Sequence, residues 1–141
     1  MAYFLVAFFV IGTGFLTWKF IQLWKSPELV EWFMTTFAIL PFGRDVRRGE
    51  IRALGLTATL LWAATVLIFF GLQDGDMSSA ALALGGAALV ILLLSALCEV
   101  SVVLFNRPKF VVPPHMRSDL GVIAERRARR RATRKKPEGR R

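Results

Sequence analysis

The chain reads as an all-α membrane protein with three transmembrane helices, a short interfacial amphipathic helix and a basic, largely disordered C-terminal tail. Three observations predict that class. Residues 2–18, 53–72 and 80–98 form uncharged runs of 17, 20 and 19 residues, and about 20 apolar residues in a helix cross a hydrocarbon core about 30 Å thick. The composition is 55% hydrophobic and 21% charged, yet charges avoid these runs, which lack the polar face a soluble bundle repeats every three to four residues. The net charge of +9 gathers at the carboxyl end, where residues 106–141 carry thirteen cations against three acids.

The first span is assigned to residues 2–24. Trp18 and Trp24, with Lys19 and Lys25, make the aromatic and cationic edge expected where a helix leaves the bilayer. The first residues lack the positive region and small-residue cleavage site of a signal peptide, so an uncleaved anchor is expected. Ser26-Pro27-Glu28 has the chemistry of a helix start: a capping hydroxyl, a proline in the first turn and an acid near the dipole's positive end. It predicts a helix over 27–40, ended by Pro41 and Gly43. Glu28, Glu31 and Thr35 share one face, while Leu29, Trp32, Phe33, Met34, Phe37 and Leu40 cover most of the rest. That pattern suits a helix lying in the interface or packed against the spans.

Residues 44–52 read as a basic cytoplasmic loop, 53–72 as the second span, 73–79 as an outer turn and 80–105 as the third span. Gly55, Thr59 and Ala63 recur every four residues. Ser79, Ala83 and Ala87 do the same, with Gly85 and Gly86 beside them. Small side chains let helix backbones approach closely, and in lipid such packing replaces the hydrophobic drive. A close hairpin of spans two and three is therefore expected.

The 73–79 turn has no Lys or Arg, whereas the 44–52 segment and the tail are basic. The positive-inside rule then places the amino terminus outside and both basic regions in the cytoplasm, in a bacterial inner membrane. Residues 1–105 make up the membrane domain and 106–141 the basic cytoplasmic tail, whose dense cations repel one another and favour disorder.

Glu99 lies within the third span, where an acid is costly and ordinarily faces protein, water or a counter-charge. Counted at 1.5 Å per residue, it sits about 9 Å inside the inner end and Lys19 about 8 Å inside. A Lys19–Glu99 ion pair joining spans one and three is the expectation. In the tail, Arg126, Arg127, Arg129, Arg130, Arg131, Arg134, Lys135 and Lys136 form a cationic block. Beside a membrane anchor it would attract anionic lipid headgroups by about 1 kcal/mol per cation, or engage a cytosolic partner. Nucleic acid could use the same charges through counterion release, but no aromatic residue lies between 126 and 141 for bases to stack on.

Residues for chemistry are scarce. His115 has no second ligand at metal spacing, and Cys98 lies in an apolar span with no histidine near in sequence. Gly12-Thr13-Gly14 is in mid-span, without the lysine or the strand–turn–helix setting of a phosphate loop. No catalytic residue, metal or cofactor is expected.

Three short spans enclose little volume, leaving no room for a substrate cavity without oligomerisation. The expected role is a small non-catalytic accessory or scaffold subunit of a larger membrane complex. Its partners would be the bilayer, anionic headgroups, and other membrane-protein subunits or copies of itself. The layout also resembles that of one class of phage holins, in topology and tail composition but through no motif; that resemblance implies a self-associating pore former. A membrane-tethered nucleic-acid binder is the third reading.

Overall fold

The computed structural model describes residues 2–39, 41, 43–73 and 78–135. Regular structure among them is all helical: α1 (Ala2–Lys25), α2 (Leu29–Thr36), α3 (Arg44–Gly71), α4 (Ser79–Phe105) and α5 (Val122–Lys135). A 3-10 turn (Phe37–Ile39) extends α2, and two more (Lys109–Val111 and Pro114–Met116) bridge α4 to α5. Three helices, α1, α3 and α4, are long and apolar enough to cross a membrane. At 1.5 Å per residue α3 and α4 each reach about 40 Å, beyond the hydrocarbon thickness.

Helix α3 occupies the middle of the bundle, packing against both α1 and α4 and far more extensively against α4. The seam on α4 runs through Ala88, Leu92, Ser95, Glu99 and Val102, all buried or half-buried. Its spacing alternates three and four, the stripe that keeps one helix face on a neighbour. Leu82, Leu89, Leu93, Leu94 and Leu97 on the other faces are exposed.

The buried core lies at one end. Leu23 closes α1, Phe33 comes from α2, Ile51, Ala53 and Leu54 from the start of α3, and Val102 and Val103 from the end of α4. Val112, Met116 and Val122 reach the same cluster from the segment after α4. At the opposite end, Tyr3, Phe4 and Phe8 of α1 are exposed.

Several boundaries differ from those expected. Residues 44–52 are not a loop but the first turns of α3. Gly43 is extended at the cap, and Asp45 in the first turn complements the dipole. Gly49, Ile51 and Arg52 are buried, so the segment is an amphipathic helix start, which charge density alone does not distinguish from a loop. The described part of the tail is folded. Residues 106–121 form a cap beneath the bundle and α5 continues to Lys135, because the apolar side chains scattered among the tail's prolines find a common buried place. A boundary at 105/106 therefore cuts through the core. The helix expected over 27–40 begins at Leu29: Ser26 N–H still bonds to the Gln22 carbonyl of α1, and Glu28 is the cap residue without a side-chain bond. Asp74, Gly75 and Asp76 of the outer turn, and Lys136 with everything after it, lie outside the described residues.

Candidate functional site: the arginine-rich base

The left-handed turn at Asn106 (φ 55°) ends α4. Asparagine tolerates that conformation better than other side chains, and here its amide also donates to the Asp119 carbonyl at 2.7 Å. The cap is thereby folded back under α4. Gly121 lies so close to it that a Cβ would stand 2.7 Å from Phe105 Cα.

Arg52, 1% exposed, donates through Nη1 to the Leu120 carbonyl at 2.7 Å. Its Nε and Nη2 have no partner among the described residues. Around it, Arg48 Nε meets Asp119 at 2.9 Å, and Arg129 Nη2 meets Asp45 at 2.6 Å and Glu125 at 2.8 Å. Arg117 Nε donates to the Val112 carbonyl at 3.1 Å, and its guanidinium stands 5.9 Å from the Trp24 ring centre. The base thus holds α5 in place through α3 and the cap.

The two sides of α5 have different surroundings. Glu125 and Arg129 face a mixed-charge groove of about 840 Å³ shared with Arg44, Asp45, Arg47 and His115. Ile123, Ala124, Arg127, Ala128 and Arg131 line a second groove, of about 430 Å³, against Leu104 and Phe105 at the end of α4. Arg126 and Arg130 line neither and are exposed. Arg134, Lys135 and Lys136, expected in the same block, have side chains outside the described residues.

The expected Lys19–Glu99 pair is not formed. Lys19 Nζ sits 5.0 Å from the Trp32 ring centre and 5.1 Å from that of Trp18, so α2 and its own helix supply its partners. Glu99 Oε1 accepts the Thr57 hydroxyl at 2.6 Å. Similar depth does not make neighbours, because α4 packs on α3 and leaves α1 on its other flank.

The small-residue strips are only partly at helix contacts. Gly55 faces α1, where a Cβ would come within 2.6 Å of the Phe20 ring. Thr59 is exposed and returns its hydroxyl to the Gly55 carbonyl, and Ala63 is buried. Ser79, Ala83 and Ala87 are exposed, and neither Gly85 nor Gly86 has a neighbour within 4 Å of a Cβ. The α4 seam is rotated from the expected strip, because an almost uniformly apolar helix carries no pattern that orients it.

Four contacts had no signal of their own at the level of sequence. Thr57 and Glu99 are 42 residues apart, Trp62 and Thr17 (Nε1 to Oγ1, 3.1 Å) 45 apart, and Arg52 bonds a carbonyl 68 residues on. Asp119, paired to Arg48, is 71 residues away. Asn106 did carry one: an Asn directly after a long apolar run is a left-handed cap candidate.

Among the described residues, no group of three His, Cys, Asp or Glu side chains is placed to hold a metal. The architecture is that of an all-helical chain with three helices long and apolar enough to cross a membrane and a folded, arginine-rich base. No protein-family model, curated protein or solved structure matches the chain.

Proposed function

We propose that the chain is a non-catalytic accessory or scaffold subunit of a larger complex in a bacterial cytoplasmic membrane, with its amino end outside and its base in the cytoplasm. The observation that carries this reading is an apolar slot between α1, α3 and α4, on the side of the bundle away from the base. Val10, Trp62, Val66, Phe69, Leu84 and Ile91 line it around Ala63, Ala87 and Ala88, and its volume is about 670 Å³. Between helices in lipid, shape complementarity rather than water exclusion drives association. An alanine floor flanked by large side chains suits a helix from another subunit. The orientation follows from the cations gathered at the base.

The test is purification of the tagged protein from its native membrane in mild detergent, for wild type and for Ala87→Phe, which fills the slot. The expected result is a membrane-protein partner in fixed ratio with wild type and its depletion with the variant. Elution of wild type alone overturns the reading. Abrupt permeabilisation of cells on controlled expression overturns it in favour of a self-associating pore.

A further inference from the structure

The groove between α4 and α5 joins two surfaces of different chemistry. One wall is Leu104 and Phe105, the last residues of a helix whose outer faces are apolar along their length. Phe105 is 58% exposed, and Leu104 beside it shares its helix stripe with the exposed Val100 and Leu97, four and seven residues back. The other wall is α5, which places Arg127 and Arg131 one turn apart on the same stripe, with Ile123, Ala124 and Ala128 beside them. Neither arginine makes a hydrogen bond or ion pair among the described residues, whereas Arg129 on the neighbouring stripe is bound to Asp45 and Glu125.

We infer that this groove binds one anionic phospholipid of the cytoplasmic leaflet. Its phosphate lies between Arg127 and Arg131, and its acyl chains run from Phe105 along the outer face of α4. Guanidinium groups donate to phosphate oxygens in paired geometry, and two of them complement one phosphodiester. The apolar wall distinguishes a lipid from a free phosphate, since only a lipid covers Leu104 and Phe105 as it fills the arginine pair. A loose polybasic tail would count cations wherever they stand. Here the helix is held by its base, so position matters: Arg127 and Arg131 face the groove, Arg126 and Arg130 do not, and Arg129 is already committed.

The inference rests on the membrane placement proposed above but not on the partner slot, so either can fail without the other. Full-length protein is exchanged into mixed micelles of phosphatidylcholine with phosphatidylglycerol, and retained lipid is counted by native mass spectrometry. Wild type is expected to keep one phosphatidylglycerol in preference to phosphatidylcholine. Arg127→Gln with Arg131→Gln should reduce that preference by roughly tenfold or more, while Arg126→Gln with Arg130→Gln, which removes the same charge, leaves it within about twofold. Monodisperse elution of both variants shows that they are folded. Equal loss in the two double variants overturns the inference, leaving diffuse attraction. Displacement of phosphatidylglycerol by inorganic phosphate or glycerol phosphate at matched concentration overturns it in favour of a free-phosphate site. Loss of preference in neither variant overturns it as well.

Discussion

Single residues set how closely the base can close. Gly121 packs against backbone, the Leu104 carbonyl and Phe105, and backbone cannot swing aside as a side chain can. Gly121→Ala should therefore cost about 1–3 kcal/mol as an overpacked contact. Gly86→Ala, with open space at its Cβ, should be neutral or slightly stabilising through helix propensity. Thermal melting in detergent, followed by size-exclusion fluorescence, separates the two. Thr57 is the only described side chain donating to Glu99. Thr57→Val should destabilise by about 1–3 kcal/mol and Thr57→Ser should largely restore stability. Because Lys19 shares no partner with Glu99, the effects of Lys19→Met and Glu99→Gln should add to within about 0.5 kcal/mol. A larger coupling in the double variant would show that the two side chains interact after all.

At the scale of elements, α5 has two kinds of tether. Its ion pair to Asp45 of α3 involves an Arg129 side chain that is 62% exposed, and pairs of that kind contribute about 0.2–1 kcal/mol. Val122 at its start is 3% exposed within the core; burying a valine is worth about 1.5–3 kcal/mol, and a carboxylate there would have no partner in the apolar cluster. Limited trypsin digestion should show the difference. Val122→Asp is expected to speed cleavage among residues 126–131 strongly, and Arg129→Ala only slightly. Equal rates would mean that charge rather than burial docks the helix. The same reasoning explains why a segment so rich in arginine is helical here: the buried first residue, Val122, and the Glu125–Arg129 contact one turn apart offset the repulsion that favours disorder in a free tail.

Over the whole molecule, the buried apolar core is concentrated at the base, while large apolar side chains along α1, α3 and α4 are exposed. Truncation after Phe105 would remove Val112, Met116 and Val122 from the core, about 1.5–3 kcal/mol apiece, and take from Arg52 its bond to the Leu120 carbonyl. The shortened chain should melt well below the full-length protein in the same detergent. An unchanged melting curve would show that the cap is an appendage and not part of the fold. The slot between α1, α3 and α4 lies away from the base, so the two proposed contacts are at opposite ends of the bundle.

The number of long apolar helices, the extents of α1 and α4 to within a residue and the gathering of cations at one end were all determined by the sequence alone, while α3 begins nine residues before the expected second span. Each depends on local composition: a run of uncharged residues is helical in lipid because no water is there to satisfy its backbone. Which helix faces which was decided only by the tertiary structure. A uniformly apolar α4 can be rotated about its axis at little local cost, so Ser79, Ala83 and Ala87 turned outward and Glu99 met Thr57 instead of Lys19. The folded base came from the same level, since Val112, Met116 and Val122 become a core only when Leu23, Ile51 and Val102 arrive from elsewhere in the chain.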